Sequence, residues 1–555
     1  MSSIVQHAPR FTEQESVRIA LELFGLEVTA RQLPSERDQN FRLTAADGND
    51  YVLKLANATE SVEVLDFQNQ AMIHLAGKRE LFAGSTAVVP DVLSTTTGDQ
   101  MSTIKGTDGI AHFVRLLTYL PGKPLALVKP HDADLLASMG RFFGTIDQAL
   151  QDFDHPATHR DFHWDLNNAG HIITSYLEHI KVAENRNLVK GLLEHFQAQT
   201  EPQLGELRSG VIHNDANDYN VLVEPEGRWH TAVTGVIDFG DMVYTRIVNE
   251  VAIACAYAML DKADPLTTAG HVVAGYHHAF PLTEPELAVL FDLICMRLCM
   301  SVCHSANQSR HEPDNEYLRI SEKPAWDLLY KLADIHPRLA HYMFRHACGL
   351  SPVPQSKKIV EWLKSNSSES ACLIDGNLRD PQPLVFDLGV GSQLLAGDGA
   401  GADTQAVTKK LFERIQGAGA GVGVGRYNEA RLVYAAGHFV VQTDEMRENR
   451  TVHLGLDLYL PAGSRVYAPL DGKVHSFNNN RAPLDYGPTI IIEHQTGDGD
   501  PFYTLYGHLS PESLDGLKAG ILIETGQPIA RIGNTDVNGG WPPHLHFQII
   551  TDMLG

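Results

Sequence analysis

From about residue 12 to 350 apolar positions recur densely between well-marked turns, whereas from about 353 to 425 the chain becomes rich in Ser, Gly, Ala and Asp. That shift marks a boundary. Before it, strand-like runs cluster near 40–56 and 112–118, and long helical patterns such as RIVNEVAIACAYAMLDK and LAVLFDLICMRLCMSVC follow them. This order predicts an α+β module, with a small β-rich lobe over 1–118 and a large helical lobe over 119–352. After residue 430 short runs such as GSRVYAPL, GKVHSF and PTIIIEHQ alternate with Gly, Pro, Asn and Asp, which predicts an all-β domain over 431–555. The stretch 353–430 is expected to be linker and extended chain. GAGAGVGVG at 417–425 belongs to it, because its glycines recur at every second position and the G-x-G-x-x-G spacing of a nucleotide loop is absent.

At 555 residues the chain is too long for one hydrophobic core, and 43% hydrophobic with 20% charged residues describes folded domains. A net charge of -24 argues against sequence-independent binding to nucleic acid or anionic membrane, since both need basic patches. The opening MSSIVQHAPRFTEQES lacks the basic and apolar regions of a signal peptide. No stretch of about 20 apolar residues stands out as a bilayer span, so a cytoplasmic protein is expected. Among the six cysteines, Cys295, Cys299 and Cys303 fall at helical spacing in an apolar run and read as helix packing.

VIHNDANDYNVLV (211–223) sets His213, Asp215 and Asn220 in the spacing H-x-D-x-x-x-x-N, and VTGVI runs into IDFGD, which places Asp238 at the end of a strand. Phosphoryl transfer asks a protein for a base that orients the attacking hydroxyl and for oxygen ligands to magnesium. Asp215 suits the first task, Asn220 and Asp238 the second. In FRLTAADGNDYVLKL two apolar runs joined by Asp-Gly predict a hairpin whose second strand carries Lys54, a cation for the ATP phosphates. Its acidic partner is expected from the next helix, where Glu63 and Asp66 are both candidates. LPSERDQNF (33–41) is placed to cover the phosphates, and FVRLLTYLPG (113–122) reads as a buried strand running into a connector, with backbone groups near Leu117 to Leu120 available to adenine. Asp241 and Glu250 are candidates to hold an ammonium on the acceptor.

Through these residues the first ~350 positions resemble the aminoglycoside phosphotransferase and choline kinase superfamily, and within it the hydroxylysine kinases, which share DQNF, VRLLTYLPGKP, NDYNVLV and IDFGDMVY. The resemblance implies a two-lobed, protein-kinase-like fold and ATP-dependent phosphorylation of a hydroxyl on a small amine or amino alcohol, hydroxylysine foremost. Asn214 departs from the pattern, which usually has glycine there.

In the last hundred residues HLGLD supplies His453 and Asp457, HLHF supplies His544 and His546, and LYGHLS supplies His508. A pair at i, i+2 on a strand projects both imidazoles from one face. Two histidines and one carboxylate leave an open position on a tetrahedral zinc, the pattern of a catalytic site. Through HLGLDLYLPAGSRVYAPLDGKV, YTLYGHLS, RIGNT and HLHFQI this region resembles the lysostaphin-type zinc metallopeptidases. The resemblance implies His453, Asp457 and His546 as zinc ligands and His508 and His544 as catalytic histidines. DVNGGWPP, with Trp541, departs from it.

Joined modules of these two kinds also resemble the N-terminal part of larger fusions with a class III aminotransferase-like domain. That resemblance implies a pyridoxal-phosphate domain beyond TDMLG in the full-length protein. Two other readings stay open: a metal-binding or scaffolding module attached to a kinase, and a peptidoglycan-type metalloendopeptidase with a degenerate kinase domain.

Overall fold

A computed structural model of the chain describes residues 8–554, apart from 36–37, 83–87, 107–108, 227–229, 312–321, 376–377, 379–381, 393, 395–403, 432–433, 435–438 and 443–446. It divides into two units, Met1–Pro352 and Val353–Gly555.

After helix Glu13–Phe24 and strand Val28–Leu33, the first unit forms the expected hairpin. Strands Gln39–Ala45 and Asp50–Leu55 pair antiparallel, with Phe41 opposite Leu53 and Leu43 opposite Tyr51. Alternation sends Phe41, Leu43, Leu53 and Leu55 to one face, where they form a core with Ile19, Val114 and Leu116. Lys54 lies between two of these and therefore projects from the opposite face. The sheet runs in the order Val28–Leu33, Gln39–Ala45, Asp50–Leu55, Ala111–Thr118, Val92–Leu93, with Ser102–Lys105 pairing off Ala111–Thr118. The loop expected at 33–41 is partly strand, since Gln39 opens the second strand; Glu36 and Arg37 lie outside the described residues.

Helix Val62–Ala76 docks on this sheet through a buried cation. Arg115 donates to the Asn69 side chain at 3.0 Å, to Gln68 at 2.9 Å and to the Leu65 carbonyl at 3.3 Å. The larger part of the unit is helical and shares one apolar core. Ala133–Leu150 crosses Pro265–Ala279 at closest approach through two glycines: a Cβ on Gly140 would stand 1.8 Å from the Val272 carbonyl oxygen, and one on Gly275 2.0 Å from that of Ala137.

Helix Glu284–His311 differs from the sequence expectation. Its 284–310 stretch is long and apolar enough to cross a membrane, but 89% of its most apolar window is buried inside the unit. A helix surrounded by others needs no polar face, so composition alone does not separate the two cases. Cys295, Cys299 and Cys303 are buried free thiols on this helix, and burial pushes Cys303 up to about 12.

The second unit is rich in strands. Its main sheet runs in the order Leu384–Phe386, Gly423–Gly425, Leu456–Tyr459, Leu545–Ile550, Pro501–Gly507, Gly487–Gln495, Gly472–Asn480, Leu522–Ile523. The first two strands come from 353–430, the stretch expected to be linker, which also folds into helices Ser356–Ser365 and Thr404–Gly417. Of the alternate glycines that suggested a loop, Gly423 and Gly425 form one shaved face of a strand. A Cβ on Gly423 would meet Phe386 at 2.4 Å and Ile415 at 2.8 Å, and one on Gly425 would meet Arg431 at 2.9 Å.

Replacing Gly275 by Ala should destabilise the first unit by about 1–3 kcal/mol or more, since backbone must give way. Gly191, in Ala183–Gln199, has open space at its Cβ position, so Gly191→Ala should stabilise by up to about 1 kcal/mol. Thermal unfolding of both variants checks the pair.

Candidate functional site

Strand Ser209–Ile212 ends at His213, and the loop that follows is turned by Asn214, whose φ of 65° lies in the left-handed region. Glycine enters that region without strain and asparagine does so more readily than other residues, which explains the departure noted at this position. The Asn214 amide donates to the Glu250 carboxylate at 2.9 Å and its side chain to the Asp241 carbonyl at 3.2 Å. His213 is fully buried, edge-on to Phe239 at 4.9 Å, and burial lowers it to about 4, so it is a neutral scaffold.

The turn delivers Asp215. One of its oxygens accepts from the Asn217 side chain at 2.9 Å and the other from the Asn220 side chain at 2.7 Å. The Ile237 amide donates to the Asn220 carbonyl at 3.0 Å, which sets Asp238 alongside. Asp238, itself at φ 65°, caps the turn Phe239–Asp241 and lies 3.8 Å from the Lys54 ammonium. Asp215, Asn220, Asp238 and Lys54 therefore meet in one place, as their spacing predicts.

The two carboxylates are tuned apart. Burial, and then the Asp241 charge, push Asp215 up to about 7, against the pull of Arg297. Asp238 is held below the ordinary range, chiefly by Lys54. A carboxylate poised near neutrality suits proton acceptance and one kept ionised suits a cation.

Other expectations need correction. Neither candidate helix acid pairs with Lys54: Asp66 faces His155 at 3.4 Å and Gln70 at 3.3 Å, and Glu63 is exposed on the first turn. The contact between sheet and helix is made by Arg115 instead. Leu117 sits between Val52 and Val92 in the sheet, so its backbone lies inside the ladder and does not face adenine, whereas Leu120 lies in the connector after the strand, as expected. Glu250, fully buried on the Asn214 amide, supports the loop and is no acceptor ligand. The residue that the motifs miss is Arg297, whose guanidinium is 3.7 Å from Asp215; a lone charge inside LICMRLCM is its signal in the sequence.

In the second unit the register sets Asp457 opposite His546. His453 Nε2, Asp457 Oδ1 and His546 Nδ1 are mutually 3.1 Å apart, and all three side chains are buried. Tetrahedral zinc with nitrogen and oxygen ligands spaces its donors about 3.3 Å apart, so the triangle fits that ion. Gly455 leaves the space, since a Cβ there would stand 2.2 Å from the His546 ring. The Arg426 carbonyl, 2.9 Å from His453 Nδ1, fixes the tautomer that aims Nε2 at the cluster. His544 Nε2 is 3.6 Å from Asp457, and the rings of His508 and His544 are 4.3 Å apart. Each turns Nδ1 to a carbonyl, of Asn538 at 2.8 Å and of Pro542 at 2.6 Å. Burial keeps both neutral, with His544 lowered to about 4.

A further contact comes from the stretch expected to be linker and its border. Arg431 donates to Asp457 Oδ2 at 2.7 Å and to Glu429 at 3.0 Å, and Glu429 also accepts from Arg426 at 3.0 Å. The guanidinium occupies one carboxylate oxygen and leaves Oδ1 to the imidazoles.

Fold and site together define a two-lobed small-molecule kinase joined to a strand-rich unit with a metallopeptidase constellation. Residues 29–288 match the phosphotransferase enzyme family, and residues 451–553 match peptidase family M23. Hydroxylysine kinase of Mus musculus is 34% identical over 347 residues, covering 59% of this chain and 90% of that protein. The chain belongs to the phosphotransferase enzyme family, as a relative of the hydroxylysine kinases. An uncharacterized metalloprotease of Haemophilus influenzae is 35% identical over 96 residues, 17% of this chain and 18% of that one. A solved amicoumacin kinase in complex with AMP-PNP and Ca2+ aligns with a TM-score of 0.44 at 16% identity, covering 64% of this chain and 98% of that chain. The two families imply ATP, a divalent metal and zinc as the groups these sites serve.

Arg431→Met should leave the second unit folded yet weaken zinc binding by about 10–100-fold, the usual effect of losing a partner that orients a ligand. Competition with a chromogenic chelator measures it.

Proposed function

We propose that the first unit transfers the γ-phosphoryl group of ATP to the hydroxyl of a small hydroxylated amine, with hydroxylysine as the leading acceptor. The observation that carries this reading is the convergence of Asp215, hydrogen-bonded by Asn220 at 2.7 Å, with Asp238, which lies 3.8 Å from the Lys54 ammonium. Asp215 orients the acceptor hydroxyl and takes its proton as the oxygen–phosphorus bond forms and ADP departs. Lys54 holds phosphate oxygens, and Asn220 with Asp238 would hold magnesium, whose charge offsets that of the phosphates. The names of the relatives and the shared motifs support the acceptor class. A need for ATP favours the cytoplasm as the compartment.

For the second unit we propose a zinc hydrolase, with His453, Asp457 and His546 as ligands. Zinc, when bound, supplies a water acidic enough to ionise near neutral pH. His508 and His544, each with Nδ1 on a carbonyl and Nε2 left free, would accept and return a proton at Nε2 and stabilise a developing oxyanion.

Release of ADP from the full chain with hydroxylysine as acceptor tests the first reading. Asp215→Asn should lower kcat by about 10²–10⁴-fold while leaving the KM for ATP nearly unchanged. Absence of acceptor-dependent ADP release in the wild-type chain overturns it. For the second unit, metal analysis should find stoichiometric zinc in the wild type and its loss in Asp457→Ala, which removes the one carboxylate of the triangle. Zinc retained in that variant rejects the ligand assignment, and zinc bound without any turnover dependent on His544 would make the unit a metal-binding module.

A further inference from the structure

Arg297 is a charge on an otherwise apolar, buried helical run, and the chemistry of Asp215 does not require it. Its ring-like stack is unusual: the guanidinium lies 4.6 Å from the centroid of Trp164 and 5.7 Å from that of Tyr257. Arginine carries five N–H donors, and an unanswered donor on a buried charge is costly. Two of the answers here are long, 3.3 Å to the Trp164 carbonyl and 3.5 Å to the Tyr257 hydroxyl, and Nε is buried with no partner among the described residues. The nearest carboxylate, Asp215, stands 3.7 Å away, beyond hydrogen-bond distance, and its oxygens already accept from Asn217 and Asn220.

A planar donor fork, flanked by aromatic faces and left short of acceptors, is a receptor for a carboxylate. We infer that Arg297 binds the carboxylate of the acceptor, so that the site selects hydroxylated amino acids over amino alcohols that lack the acid group. The inference rests on the phosphotransferase reading above. A molecule whose hydroxyl and carboxylate lie roughly 5–8 Å apart reaches Asp215 with one end and the guanidinium with the other, at ordinary hydrogen-bond lengths. The aromatic walls then exclude water from the pair, which strengthens it. The acceptor's acid group would also answer the donors that Asp215, at 3.7 Å, leaves without a hydrogen bond.

Two acceptors differing only in the acid group separate this role from a simple effect on the base: hydroxylysine and its decarboxylated counterpart, the diamino alcohol. The full chain and its Arg297→Met and Arg297→Lys variants are compared by kcat/KM for each acceptor, with thermal unfolding as the check on folding. The wild type should prefer hydroxylysine, and the preference should shrink by about tenfold or more in Arg297→Met, mainly through KM for the amino acid. Arg297→Lys, which keeps charge without the fork, should fall between. If Arg297 serves only to tune or position Asp215, both acceptors fall by the same factor and their ratio stays put, which overturns the assignment. A wild type that phosphorylates the diamino alcohol as well as it does hydroxylysine also overturns it, while the phosphotransferase reading stands. A wild type that turns over neither acceptor removes that reading and this inference together.

Discussion

The amide of Asn214 ends on the carboxylate of Glu250, and the phosphoryl-transfer site hangs from that bond. Both groups are fully buried, so water replaces neither partner, and an amide left without its acceptor there costs about 1–3 kcal/mol. The bond holds residue 214 in the left-handed region, where the chain reverses sharply enough to bring Asp215 back onto Asn220. With an ordinary extended residue at 214 the strand would run on and Asp215 would face away. The stabilisation of one buried hydrogen bond is thus converted into the position of the Asp215 carboxylate. Asparagine serves where glycine is usual because its own side chain adds a bond to the Asp241 carbonyl, offsetting part of the backbone cost.

Charge is then distributed around that fixed point. A chain with a net charge of -24 has no general attraction for a polyanion, and four of its cations act singly at largely buried positions, where one charge has most effect. Lys54 keeps Asp238 ionised, Arg297 moderates the rise of Asp215, Arg115 ties helix Val62–Ala76 to the sheet, and Arg431 takes one oxygen of Asp457. Each of these cations faces a carboxylate or an amide oxygen from a different element. Their partners make the local geometry as much as the apolar cores do.

What the amino-acid sequence showed and what it hid follow from the same fact. His213, Asp215, Asn220 and Asp238 lie in short segments whose backbone is set by their own neighbours, so spacing alone identified them. The HLGLD turn and the HLHF pair were legible for that reason too, since strand alternation fixes which side chains share a face. Lys54 was found through its hairpin, but its acidic partner was sought on the next helix, where Asp66 instead turns to His155. Contacts between elements depend on how helices roll and which long side chains reach across, and periodicity carries no record of that. Arg297 was hidden in this way, although a solitary charge in an apolar helix signals an unusual environment.

The stretch 353–430 is the instructive failure. Low hydrophobicity and alternate glycines look like flexible chain because both remove the side chains that mark a strand, yet here the glycines permit the sheet to close over Phe386 and Ile415. The metal constellation needs that closure. His453 takes its tautomer from the Arg426 carbonyl, and Asp457 takes its orientation from Arg431, 26 residues earlier. His546, 93 residues after His453, completes the triangle only because strand Leu545–Ile550 pairs with Leu456–Tyr459. Two of the three candidate ligands, His453 and Asp457, are therefore oriented by residues at or before the apparent edge of the region that reads as peptidase. The boundary that matters for the metal site lies near residue 353 rather than near 430, because a ligand set is only as rigid as the shell that orients it.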